Sequence, residues 1–90
     1  MKIIKNIKNL KVTIVNISNL GFVPTMGGLH KGHLELIKKS INRSQKTLVS
    51  IYVNPTQFNK KKDFSKYPRN TKKDLQILKR QKVDFVFLPK

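Results

Sequence analysis

Two histidines three residues apart, His30 and His33, stand in the run Met26-Gly27-Gly28-Leu29-His30-Lys31-Gly32-His33. At the start of a helix this spacing puts both side chains on one face, about 5 to 6 Å apart at Cβ, so the pair can act together. Gly27, Gly28 and Gly32 let backbone pass close to a ligand, while free N–H groups and the positive dipole end of a helix favour phosphate. Two imidazoles donating hydrogen bonds there would stabilise charge developing on an α-phosphate as pyrophosphate leaves. A histidine pair also serves as a structural or metal-linked unit. Zinc suits this chain less, because it has no cysteine and only four acids, Glu35, Asp63, Asp74 and Asp84, to complete a ligand set.

The surrounding pattern supplies elements to hold these residues. Leu20 to Thr25 is a short apolar run that ends in Pro24 and then Gly27-Gly28, as a buried strand entering a tight turn does. Leu34, Ile37 and Ile41 recur at helical spacing and predict an amphipathic helix from about Lys31 to Arg43 with its lysines outward. Thr47 to Val53 is a β-branched run stopped by Asn54-Pro55, and predicts the second strand. Thr71 precedes Asp74 by three residues, a capping-box spacing with Asp in the Glu position; Leu75 and Leu78 then form the buried side of the next helix. Val83 to Leu88 is the third predicted strand. Ile3 to Ile17 fits a helical stripe through Ile3, Ile7, Leu10, Ile14 and Ile17, although Leu10, Val12 and Ile14 also alternate as a strand does; the expectation is a helix.

Strands separated by helices of this length pair in parallel through right-handed crossovers, which predicts an α/β, Rossmann-like βαβαβ half-unit forming one domain over residues 1–90. Ligands of such a unit lie at the carboxyl ends of the strands. Those ends carry Thr25 to His33, Asn54 to Phe58, and Pro89, so the unusual residues converge where the fold places a site.

Ninety residues with a net charge of +16 and no cysteine set the physical limits. A chain of this size buries only about 60 to 65% of the surface its unfolded form exposes, and no disulfide supports it. Lysines outnumber arginines and are spread along the chain beside asparagines, a pattern that coding bias toward AT-rich codons produces without selection for a polyanion partner. Like charges at this density repel within the fold, so stability should rise with salt as the Debye length shrinks to about 8 Å at physiological ionic strength. A denaturation midpoint that did not move between low and physiological salt would contradict that expectation. Met1 to Ser18 offers no continuous apolar h-region, and no run approaches the roughly 20 residues that span a bilayer, so a cytoplasmic protein without membrane contact is expected.

Pro24-Thr25-Met26-Gly27-Gly28-Leu29-His30-Lys31-Gly32-His33 resembles the pantothenate synthetase version of the His-x-Gly-His adenylyl-transfer motif. His-x-Gly-His alone is common to many nucleotidyltransferases. Specificity comes from further blocks in order: Val53-Asn54-Pro55-Thr56-Gln57-Phe58, Asp63-Phe64 with Tyr67-Pro68-Arg69, and Asp84-Phe85-Val86-Phe87 before Pro89. The resemblance spans nearly the whole chain but only about the first third of a typical family member, and so implies a truncated unit or fragment.

It implies an AMP-forming carbon–nitrogen ligase of coenzyme A precursor biosynthesis. In that family pantoate attacks the α-phosphate of ATP to give pantoyl adenylate, and β-alanine displaces AMP to form pantothenate, with Mg2+ on the phosphates. Met26, Gly27, Gly28, Leu29, His30, Lys31, Gly32 and His33 would contact ATP, with His33 as the proton donor and His30 as its phosphate-binding neighbour. Gln57 would bind pantoate; its amide both donates to and accepts from a hydroxy acid, though such an amide also caps loops. Tyr67 and Arg69 read as an anchored loop with a solvated cation, and Met26 also suits gap-filling in a core. No dedicated metal ligands are assigned. The family forms homodimers. Lys31 replaces a common acid between the histidines, and Lys60 to Lys62 stand where acids are frequent, which adds positive charge near a phosphate site. The alternative function is a non-catalytic basic module for nucleotides or nucleic acid. Against specific nucleic-acid recognition, the lysines do not cluster with Tyr52, Phe58, Phe64 and Tyr67 as a stacking platform requires.

Overall fold

The computed structural model describes residues 1–53 and 70–89. Its strands are β1 (Lys2–Ile4), β2 (Leu20–Thr25), β3 (Lys46–Ile51) and β4 (Phe85–Phe87), and its helices are α1 (Ile7–Ile14), α2 (Lys31–Arg43) and α3 (Thr71–Arg80). All strand pairs are parallel and the order across the sheet is β1-β4-β3-β2. The α/β architecture with a parallel sheet agrees with the sequence pattern, and β2 and α2 fall on the predicted bounds.

The amino-terminal segment differs from its predicted single helix. Lys2 to Ile4 instead pair with Phe85 to Phe87, and the helix begins only at Ile7. Two local facts explain the break. Asn6 adopts an extended conformation and its side chain accepts from the Asn9 N–H at 2.8 Å, an N-cap that starts α1 there. The ladder to β4 then gives Lys2 and Leu88 backbone partners: Lys2 N donates to Asp84 O at 3.0 Å and Leu88 N donates to Ile4 O at 2.7 Å. The predicted capping box of α3 also changes. Asn70, not Thr71, is the N-cap, and its side chain accepts from Lys73 N at 3.1 Å, which releases Asp74 from a capping role.

The register decides which face is core. Val23 lies opposite Val49, and Val49 opposite Val86, so these side chains share one face. Ile37 of α2 and Leu78 of α3 close over them, and Ile37, Val49, Leu78 and Val86 are fully buried. The alternate residues Phe22, Leu48 and Phe87 face the other side, where α1 presents Ile7, Leu10 and Ile14 along an open apolar groove of about 700 Å³. Leu48 is buried there, yet Phe22 stays 56% exposed, so among the described residues this second face is only half covered.

Two local choices set the approach to the candidate site. Pro24 sits in β2, which among the described residues bonds to β3 on one side only, so the missing N–H costs no ladder bond on a second side. Gly21 lets β2 pass close beneath α2: a Cβ there would collide with the hydroxyls of Ser40 and Ser44. Ser40 Oγ is itself held 2.8 Å from Thr47 Oγ1, which is buried in β3. At this same end of the sheet Asp84 bridges strands, its Oδ2 accepting from Thr47 N at 2.8 Å. Its ion pair with Lys46, at 3.7 Å and well exposed, adds little beyond about 1 kcal/mol.

Candidate functional site

β2 ends at Thr25, and the chain must then turn sharply to start α2 at Lys31. Gly27 and Gly28 make the turn with φ of 83° and 62°, left-handed values that cost a side chain energy. Three buried or half-buried acceptors hold it. Thr25 Oγ1 donates to Ser50 O at 2.8 Å and accepts from Gly27 N at 3.2 Å. Asp74, only 3% exposed, accepts from Gly28 N through Oδ2 and from Leu29 N through Oδ1, both at 3.0 Å. A Cβ on Gly27 would lie 3.2 Å from that carboxylate oxygen, so the turn is tight as well as left-handed.

The two histidines then cap the helix with each other. His30 is the N-cap of α2 and its Nδ1 accepts from Gly32 N at 3.1 Å, while His33 Nδ1 accepts from His30 N at 3.2 Å. This reciprocal arrangement is a capping box built from imidazoles. Their rings lie 4.1 Å apart between centroids, tilted by 46°. A ring nitrogen that accepts must be bare, so each neutral imidazole carries its proton on Nε2 and points that donor away from the backbone.

The backbone donors are therefore not free, as the sequence pattern suggested. The N–H groups of Gly27, Gly28, Leu29, His30 and Gly32 all have acceptors within the protein. For an anion the turn offers the pair of Nε2–H groups, the dipole at the start of α2, and the exposed ammonium of Lys31. The site would grip phosphate mainly with side chains rather than with a cradle of amides.

His33 titrates below its ordinary value of 6.5, first because burial penalises the charged ring and next because His30 adjoins it; the Asp74 carboxylate opposes both. The linkage sign follows from a folded pKa below the unfolded one. Stability from this group is fully present above pH 6.5 and declines as pH falls through the unfolded value toward the folded one. Protonating Nδ1 also removes the acceptor of the His30 N–H, in the same direction. Denaturation midpoints measured between pH 7.5 and 5.5 should fall more steeply for the wild type than for His33→Gln. Parallel curves would show that His33 does not carry the acid sensitivity.

Of the residues expected at the site, Met26 to His33 come together at the carboxyl end of β2 in one turn and helix start. Met26 and Leu29 are half-buried beneath it, and Leu29 packs against the core. Gln57 lies outside the described residues, as do Lys60 to Lys62, Asp63, Phe64, Tyr67 and Arg69. Asp74 was missed as a site residue because its spacing from Thr71 fits a cap. A better signal was available, since Asp74 precedes Leu78 by four residues and so puts an acid on the buried stripe of its own helix.

The Pantoate-beta-alanine ligase family model matches residues 2–90. The chain belongs to that family. It is 50% identical over 93 residues to the pantothenate synthetase of Endomicrobium trichonymphae and 48% identical over 93 residues to that of Leptospira biflexa, each match covering 99% of this chain and 33% of the relative. Among solved structures, pantoate–β-alanine ligase from Thermus thermophilus superposes with a TM-score of 0.94 at 36% identity, covering 100% of this chain and 32% of that one. The ligase from Francisella tularensis, complexed with β,γ-ATP and β-alanine, gives 0.94 at 44% identity, covering 99% and 35%. The chain thus spans about a third of the length of the ligases it matches. Among the described residues no helix is long and apolar enough to cross a membrane.

Proposed function

We propose that the chain is the nucleotide-activating portion of a cytoplasmic pantoate–β-alanine ligase. The observation that carries this reading is the imidazole capping box, which aims two Nε2–H donors outward at the carboxyl end of β2, where a parallel sheet binds its ligands. In the reaction a pantoate carboxylate oxygen forms a bond to the α-phosphorus of ATP as the bond to pyrophosphate breaks. The amine of β-alanine then attacks the acyl carbon, loses a proton, and AMP departs. Negative charge builds on the α- and β-phosphate oxygens in the first step. His33, as proton donor, and its neighbour His30 offset that charge from fixed positions without reorganising, and Lys31 adds to the local positive field.

Gln57 would hold pantoate, and Met26 to Gly32 would border the nucleotide. Magnesium enters as part of the substrate, on the phosphates. A homodimer is the expected assembly of the complete enzyme.

Titration with ATP–magnesium and with a single-stranded oligonucleotide at about 50 and 200 mM salt tests the reading, because binding through diffuse charge weakens steeply over that range by counterion release. Nucleotide binding should weaken less than oligonucleotide binding. Equal salt dependence, or one preferred DNA sequence that survives the higher salt, would favour the non-catalytic basic module. By themselves the 90 residues should bind without efficient turnover, since the ligases they match are about three times as long. Robust AMP release that requires both pantoate and β-alanine would overturn that expectation.

A further inference from the structure

We propose that Asp74 is a positioning residue for the nucleotide site, holding the Gly28–Leu29 backbone and through it the His30–His33 pair without touching substrate. The inference rests on reading those histidines as the nucleotide contacts. Asp74 is one of only four acids in the chain, and it is spent on no ion pair among the described residues. Its carboxylate is 3% exposed and both oxygens accept from backbone, at 3.0 Å each, across 46 and 45 residues of sequence. Such charge-assisted bonds are among the stronger ones a protein makes.

What they hold would otherwise be loose. Gly27 and Gly28 lie consecutively in left-handed conformations that glycine adopts without strain, but glycine also loses the most conformational freedom on being fixed, so the turn depends on its anchors. Leu29, the second residue gripped, immediately precedes His30, the N-cap whose Nδ1 and N–H both take part in the imidazole box. Asp74 itself sits in the first turn of α3, whose Leu78 is locked in the core. The second crossover helix is thereby tied to the helix start that presents the imidazoles, and the direction of their Nε2–H groups depends on that tie. The same carboxylate is one of the charges acting on His33.

Asp74→Asn keeps the shape but replaces one acceptor with an NH2 donor, so at least one of the two backbone bonds is lost. The variant should keep its circular dichroism, weaken ATP–magnesium binding by about tenfold, as loss of a hydrogen bond to a charged group implies, and leave oligonucleotide binding unchanged. His33, facing His30 and now without the Asp74 charge, should titrate lower than in the wild type when followed by NMR. A variant whose His33 titration and His30–His33 ring contacts match the wild type overturns the proposal, whatever its nucleotide affinity. If Asp74→Asn does not fold, the wild type decides: the Gly28 and Leu29 amides should exchange with solvent as slowly as those of the core strands, and fast exchange at either overturns the proposal. Failure of the underlying reading is separate, since it appears as unchanged ATP affinity in a His30→Ala/His33→Ala variant whose Gly28 and Leu29 amides still exchange slowly.

Discussion

Replacing both histidines, His30→Ala with His33→Ala, should lower ATP–magnesium affinity at fixed salt by at least about tenfold, the low side of what preorganised charge-assisted donors contribute. The expectation is large because most backbone donors of the turn cannot take over. The amides of Gly27 to His30 and of Gly32 are already committed to Thr25, Asp74 and the imidazoles. The double variant also strips the caps from α2 and leaves the His30-position and Gly32 N–H groups to water, so its stability should fall by roughly 1 to 2 kcal/mol. Circular dichroism at the temperature of the titration separates that loss from loss of the site. With the later portion of a family member supplied in trans, His33→Ala alone should slow adenylation by at least about tenfold. Nucleotide affinity that survives the double replacement would place binding in the diffuse lysine charge and remove the ligase reading of this turn.

Leu78→Ala should cost about 2 to 5 kcal/mol, the range for a fully buried leucine whose cavity cannot collapse. Leu78 is 0% exposed and packs with Ile37, Val49 and Val86 between α3 and the sheet. A chain of 90 residues holds only roughly 5 to 13 kcal/mol of net stability. One such change would therefore remove a large share of it, lowering the melting temperature by at least about 8 °C. Because α3 also carries Asp74, the loss should extend to the site: loosening α3 weakens the grip on Gly28 and Leu29. Phe22→Ala, on the half-covered face and 56% exposed, should cost less than about 1 kcal/mol. Equal losses at the two positions would show that the two faces of the sheet bury their side chains alike, against the single core that the register assigns.

The bounds of β2 and α2, the parallel sheet and the gathering of Met26 to His33 at one strand end were legible in the sequence. Each is written in local chemistry: an apolar run closed by glycines, an Ile and Leu stripe at helical spacing, and helices of crossover length between strands. The motif blocks likewise announced the family, because residue order is all a motif needs. Three features needed the folded chain. Lys2 to Ile4 form a strand only because β4 offers them a ladder from more than 80 residues away, an option that a helical stripe of isoleucines does not reveal. The histidines are not only ligand groups but each other's caps, and that choice of Nδ1 as acceptor fixes which nitrogen faces outward. Asp74 fits a capping spacing as well as it fits a buried stripe, and local propensity ranks the two alike. Tertiary structure decided between them, because the turn at Gly28 and Leu29 presents two N–H groups that must find an acceptor away from water, and a carboxylate on the neighbouring helix satisfies both at once.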